Sequence, residues 1–495
     1  MSNLSTGARR HGPFWAVLII AAVAQFMVIV DTTIVNVALP EMEQGLGLSV
    51  VGQQWVVNAY ILAFGGFLLL GGRMADLFGR RRVFLLGLAV FTLASLAGGF
   101  AQNGGMLIGA RVVQGLGAAV LAPATLTLVT TTYTEARARS TALTVWAITA
   151  SSGGVAGVLL GGVLTSALDW RWVLFVNVPI GVALFAASVR YLSGTRASVQ
   201  GWRSLDLPGA ITVTGGLAIL TYAIVSTDTH AWTSAYTMVG LAVGVLLIAA
   251  FLLIEARSSR PLVPLRIFAS RTLNAANLVA VIIGITATSY FFFVSLYLQQ
   301  VNDYSALRGG LAMAPASAAT AIASILSGRL MARLGSRVLL VAGAVLAAGG
   351  MLWMAQLSAG DGYATHILPP TVLTMFGTGL TFVPMATLAT QDVARQDAGL
   401  ASGLLNASRQ IGGALGLAAL VTITAARSED FARSNPGSAV PQALTEGYDL
   451  GFTIAGGLFL LIALVAVTVL PRRPRAVHLP ASVEEEVVDR VQAQA

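Results

Sequence analysis

The chain has 495 residues, of which 56% are hydrophobic and only 10% charged, and its formal net charge is +8. Soluble domains carry roughly 25% charged residues, so a globule of this size could not cover its own surface, and lipid must be the solvent for most of the chain. Cysteine and lysine are both absent, which excludes disulfides, thiolate metal sites, cysteine nucleophiles and any Walker A phosphate loop.

Apolar runs near the ~20 residues that a helix needs to cross hydrocarbon fall at 14–39, 50–70, 83–101, 105–129, 140–166, 172–192 and 207–226, then at 234–254, 273–299, 309–330, 338–357, 366–389, 399–425 and 449–470. These fourteen runs predict an all-α membrane protein. Arg9 and Arg10 before the first run give it the look of a signal peptide, but its length, polar residues and lack of a small-x-small site predict a retained helix. His11, His230, His366 and His478 stand singly at segment ends or in tails, so no metal or haem site is expected. The tail from Pro471, with Glu484, Glu485 and Glu486, is polar and expected to be solvated.

Arginine placement sets the topology. Twenty-three of the 29 arginines lie in the two tails and the even-numbered loops, four lie on the opposite side, and Arg111 and Arg409 lie inside runs. The positive-inside rule then puts both termini in the cytoplasm and makes the span count even. The basic excess faces lipid headgroups, so no nucleic-acid partner is expected. An internal repeat agrees: Gly72-Arg73-Met74-Ala75-Asp76-Leu77-Phe78-Gly79 follows the second run, and Gly328-Arg329-Leu330-Met331-Ala332-Arg333-Leu334-Gly335 follows the tenth. Two related halves with two spans between them are the expectation. The boundaries are a tail 1–13, a six-helix bundle 14–192, a linker with two extra helices 193–271, a second bundle 272–470 and a tail 471–495.

The segment from Gly72 through Asp76 and Gly79 to Arg80, Arg81 and Arg82 resembles the signature between the second and third helices of the major facilitator superfamily. Asp31-Thr32-Thr33-Ile34-Val35-Asn36-Val37-Ala38-Leu39-Pro40 is similar to the end of the first span in the fourteen-helix drug:proton antiporter branch. Arg111-Val112-Val113-Gln114-Gly115 resembles the fourth-helix signature, and Asn406-Ala407-Ser408-Arg409-Gln410-Ile411-Gly412-Gly413 a thirteenth-span stretch of the same branch. The resemblance covers 14–470 and implies the major facilitator fold, two pseudo-symmetric six-helix bundles plus two inserted helices. Exporters of that family usually carry Gly-x-x-x-Gly-Pro-x-x-Gly-Gly on the fifth helix. Here Gly153, Gly157, Gly161 and Gly162 keep the glycines for close helix packing, but Val158 replaces the proline, which weakens the export assignment slightly.

Asp31 is the one acid well inside a run, ~13 Å below the end of its helix, and Arg111 lies ~9 Å below the same face by the rise per residue. In the family this resembles, the first and fourth helices line the central cavity. An ionisable group there costs about 2.5–3.5 kcal/mol on insertion scales and is normally functional. Two readings stand: Asp31 carries a proton with Arg111 favouring its ionised form in one conformation, or the two form a permanent pair that orients the first helix. Gly72, Asp76, Gly79 and Arg80 are implied to form a conformational latch. Arg409, near the midplane, has no evident acidic partner in the sequence; packing, cavity lining and contact with an anionic substrate group are all open.

Candidate substrate contacts are Asn36, Gln54, Trp55, Asn58, Gln114, Tyr290, Phe293, Tyr297, Asn406, Arg409 and Gln410. Aromatics with a few polar groups suit an amphipathic organic molecule. For Trp170, Trp172, Trp232 and Tyr297, near span ends, an interfacial belt is the favoured reading. Asn58, where some family members carry an acid, points to neutral or weakly charged substrates. The expected function is proton-coupled efflux of amphipathic drugs across the cytoplasmic membrane. A metabolite transporter is the alternative, and a non-transporting receptor a distant third. No enzyme is expected, because His, Cys and paired carboxylates do not cluster in the spans. No cofactor beyond the proton gradient is expected. A monomer in contact with lipid, protons and one small molecule completes the expectation.

Overall fold

The computed structural model describes residues 14–470, apart from 134, 193–205, 229, 259–260 and 394–396. The first half contains α1 (Phe14–Leu46), α2 (Val50–Phe78), α3 (Arg80–Gly99), α4 (Gly104–Thr132), α5 (Ala136–Ala167) and α6 (Trp172–Tyr191). Two further helices, α7 (Leu207–Val225) and α8 (Ala235–Arg257), precede the second half. That half opens with α9 (Arg271–Leu296), continued by a π-turn over Tyr297–Val301. A continuous helical segment Ala306–Met354 bends at Gly335 into α10 (306–334) and α11 (336–354), and α12 (Leu368–Gln391), α13 (Ala398–Ser434) and α14 (Val440–Val469) complete it. Twelve of these segments are long and apolar enough to cross a membrane as they stand. Splitting the longest at Gly335 and adding α5 gives the fourteen crossings expected, so the chain is a multi-pass membrane protein and the described ends lie on one face.

Local chemistry starts the helices. Side chains of Ser49, Asn103, Asp206, Ser234, Ser270 and Ser305 accept hydrogen bonds from the backbone N–H three residues on, opening α2, α4, α7, α8, α9 and α10. The repeated loops end in equivalent glycines: Gly79 has φ +90° between α2 and α3, and Gly335 has φ +73° between α10 and α11. Only glycine adopts that region without a Cβ penalty. The repeat legible in the sequence is thus also a repeat in backbone geometry.

Helices pack through small residues, as expected where lipid gives no hydrophobic drive between helices. On α5, a Cβ at Gly153 would stand 3.0 Å from Ile29, one at Gly157 2.8 Å from the Val30 carbonyl, and one at Gly161 2.9 Å from the Ile34 carbonyl, all on α1. Gly162 turns instead to α10, where its Cβ would stand 2.8 Å from the Ala306 carbonyl. Val158 is fully buried and its carbonyl would meet a Cβ at Gly310 at 2.7 Å, so α5 passes through the proline position as an unbroken helix.

The halves meet along α2–α13 and α5–α10, with α7 and α8 forming a hairpin whose first helix packs against α2 and α13. Side chains of α8 such as Val239, Val245 and Leu246 remain exposed, as a lipid-facing surface requires. Two belt expectations are corrected. Trp170 is buried against Gly45 with the Arg171 guanidinium 4.5 Å from its ring, and Tyr297 is buried with its hydroxyl donating to the Ser358 carbonyl at 2.8 Å. Trp172 and Trp232 are exposed.

Candidate functional site

Asp31 is 0% exposed and Arg111 2%, and they form a salt bridge at 2.7 Å between α1 and α4. The rise per residue places them at similar depth, and the structure puts them in contact. Three donors hold the Asp31 carboxylate. Arg111 reaches Oδ2, while Oδ1 accepts from Gln114 Nε2 at 2.6 Å and from Asn177 Nδ2 of α6 at 2.9 Å. Gln114 Oε1 accepts in turn from Arg111 at 2.8 Å, and its Nε2 also donates to Ser95 Oγ of α3 at 2.8 Å. Arg111 Nε donates to the Val56 carbonyl of α2 at 3.1 Å, and its guanidinium lies 4.2 Å from the Tyr60 ring centroid. One carboxylate therefore ties together α1, α4 and α6, and its partners extend to α2 and α3. A buried ion needs this degree of hydrogen bonding to be tolerated.

Sequence reasoning missed Asn177 as a partner of this acid, Ser95 as a partner of Gln114 and Tyr60 as the ring beside Arg111. Asn177 carried a signal, a lone amide in the apolar run Trp172–Tyr191, but nothing in the run says which way it faces.

The other candidates divide by location. Gln54 donates across the halves to the Leu417 carbonyl of α13 at 3.1 Å. Asn58 is wholly buried, and neither atom of its amide has a hydrogen-bond partner among the described residues. A Cβ at Gly65 would stand 2.7 Å from Gln410 Cβ, so Gln410 lies at the same α2–α13 seam. Arg409 is half-buried and donates to Asn406 Oδ1 at 3.0 Å. Asn36 donates to the Thr32 carbonyl at 3.0 Å, and its own carbonyl accepts from Ser295 Oγ of α9 at 2.8 Å.

Four further candidates pack against aromatic rings or a backbone carbonyl. Trp55 packs on Tyr222 of α7 with centroids 6.2 Å apart. Phe293 packs within the second half against Tyr448 and Phe452 of α14, and Tyr297 is held by Ser358. Tyr290 is buried beside Phe291. In the loop expected to act as a latch, a Cβ at Gly72 would stand 3.7 Å from Pro123 and Gly79 forms the turn, while Arg80 is half-buried. The Asp76 side chain lies outside the described residues.

Hydrogen bonds between the halves gather at the face opposite the described chain ends. Besides Asn36–Ser295, Gln299 Nε2 donates to the Val37 carbonyl at 3.1 Å and Gln300 Nε2 to Glu43 at 3.2 Å. Ser166 Oγ accepts from the Leu307 N–H at 2.9 Å. That face is closed.

Two related helical halves, joined by a hairpin and enclosing a buried ion pair, have the architecture of a polytopic membrane transporter. The Major Facilitator Superfamily pattern matches residues 21–417, and the chain belongs to that family. It is therefore a transporter rather than an enzyme. A cephamycin export protein from Amycolatopsis lactamdurans is 42% identical over 461 residues, covering 93% of each chain. A puromycin resistance protein from Streptomyces alboniger is 39% identical over 470 residues, covering 94% of this chain and 92% of its own. Among solved structures, a peptide transporter of the POT family in complex with sulfate superposes with a TM-score of 0.67 at 17% identity, over 92% of this chain and 94% of that one. These structures share the fold.

Proposed function

We propose that the protein exports amphipathic organic molecules, antibiotics among them, across the cytoplasmic membrane in exchange for protons. The observation that carries the coupling is the Asp31 carboxylate, sealed from solvent and held by Arg111, Gln114 and Asn177. An acid with three donors from two other helices is sensitive to any movement of those helices, so its protonation and the arrangement of the bundle are linked. Relatives named for cephamycin export and puromycin resistance, matched over nearly their whole length, support efflux of antibiotics.

The arginine bias assigns the face of the described ends to the cytoplasm. The closed face, with Asn36–Ser295 and Val37–Gln299, is then the outer one, and substrate enters this arrangement from inside. Protonation of Asp31 from outside and loading of substrate from inside alternate, with Gly72, Asp76, Gly79 and Arg80 at the loop that latches the opposite state. The proton gradient is the energy source and no cofactor takes part; a lipid-embedded monomer suffices.

Purified protein in proteoliposomes with an imposed pH gradient tests the reading, with puromycin as the probe. Gradient-driven puromycin flux by the native chain, lost in Asp31→Asn, is the expected result. Flux that persists undiminished in Asp31→Asn sinks the proton role of this residue.

A further inference from the structure

The charges inside the bundle do not cancel. Asp31 and Arg111 neutralise each other at 2.7 Å. Among the described residues Arg409 has no carboxylate at ion-pair distance, and its guanidinium donates to the neutral Asn406, one helical turn earlier on the same helix. Counting from the start of its predicted span, Arg409 lies ~15 Å into the membrane. A guanidinium offers five N–H donors, and an uncompensated cation at that depth is costly.

Its direction follows from its neighbours. The Arg409 carbonyl closes against Gly284 of α9, and the next residue, Gln410, packs on Gly65 of α2 in the other half. Thr422, which meets the Ile224 carbonyl of α7, marks the lipid-side hairpin. At 3.6 residues per turn, Arg409 points about 140° away from Thr422 around the α13 axis. The half-buried guanidinium thus turns from the lipid side, at the seam where the halves meet.

We infer that Arg409 is the recognition group for an anionic substituent, a carboxylate or sulfonate, on the exported molecule. The inference rests on the efflux reading and gives it a substrate class. Planar bidentate donors match an oxyanion in a way no single ammonium does, and the Asn406 contact sets the plane of the fork before the ligand arrives. The anion site stands on α13 of the second half and the proton site on α1 of the first. An anion therefore does not compete for Asp31, and exchange of a monoanion for a proton moves charge in the same sense on both legs. This sharpens the expectation drawn from Asn58: the seam disfavours dications and, beyond neutral molecules, favours anions.

The test uses full-length protein with a matched probe pair, anionic anilinonaphthalene sulfonate and its uncharged parent phenylnaphthylamine. Saturable binding to the detergent-solubilised protein and export from proteoliposomes are measured for the native chain, Arg409→Gln and Arg409→Lys. The expected result is binding of the anion that weakens by about tenfold or more in Arg409→Gln, stays intermediate in Arg409→Lys, and leaves the neutral probe unchanged. An anion bound no more tightly than its parent by the native protein, or parallel loss of both probes in Arg409→Gln, overturns the inference. Binding with this charge selectivity but no export of either probe upholds the anion site and overturns efflux instead.

Discussion

Asn177 donates to Asp31 Oδ1 at 2.9 Å across the gap between α6 and α1. Gln114 holds the same oxygen, so the amide of Asn177 adds a third helix to a pair already fixed by α4. If protonation of Asp31 is read out as movement of these helices, loss of one tether uncouples part of it. Asn177→Val is expected to slow gradient-driven flux by about tenfold, the scale set by one hydrogen bond to a charged group, with substrate binding unchanged. Initial rates against substrate concentration, with and without the pH gradient, check it.

Removal of the cation has a different signature. Arg111→Leu leaves the Asp31 carboxylate, 0% exposed, without its counter-ion, a loss of about 3–5 kcal/mol when one partner of a buried pair is deleted. The double variant Asp31→Asn with Arg111→Leu removes both charges and is expected to recover most of that stability. Thermal unfolding in detergent gives the comparison: the single variant melts far below the native protein and the double variant close to it.

The fold was legible because hydropathy counts spans and arginine sidedness orients them, both independent of tertiary detail. The Asp31–Arg111 contact was legible as well, because depth along a helix follows from a constant rise per residue. Azimuth does not. In lipid, a face packed on another helix and a face exposed to acyl chains are both apolar, so nothing in the sequence says that Trp55 meets Tyr222 or that Phe293 meets α14. For the same reason Asn177 went unassigned, and Trp170 and Tyr297 read as belt residues although both are buried.

Gly79 and Gly335 make a prediction about the repeat. Their φ values of +90° and +73° fall where a Cβ is strained, by about 1–2 kcal/mol for an L-residue. Apart from the adjacent backbone, no described atom lies within 4 Å of a Cβ built on Gly335, so Gly335→Ala is expected to lower stability by backbone strain alone. Gly79→Ala is expected to do the same, in a loop that also reverses between two helices. A melting temperature unchanged in Gly335→Ala counts against the glycine as the cause of the bend between α10 and α11.

Absence of cysteine from the native chain allows the closed face to be pinned without background. Val37 and Gln299 belong to different halves and are joined by a 3.1 Å hydrogen bond. A Val37→Cys, Gln299→Cys protein bridged by a short thiol-reactive crosslinker is expected to stop transport almost completely and to recover on cleavage of a reducible bridge. Unabated flux with the bridge intact excludes separation at this face as a transport step.

Asn58 bears on the same movement from the inside. It is 0% exposed and both amide atoms lack partners among the described residues, an arrangement that costs about 1–3 kcal/mol per unmet buried group. On α2 it lies between Gln54, which donates to the Leu417 carbonyl, and Gly65, which packs on Gln410, so it sits over the seam with α13. A penalty confined to one arrangement shifts the balance toward another in which the amide finds partners. Replacing the amide with an apolar group of similar volume removes the penalty from the closed-face arrangement only. Asn58→Leu is therefore expected to raise the melting temperature and to lower turnover together, because a deeper well for one state slows exchange with the next. Crosslinking yield between Val37→Cys and Gln299→Cys in the same background is expected to rise. A variant that melts lower and transports at the native rate shows instead that Asn58 is satisfied in this arrangement and takes no part in the exchange.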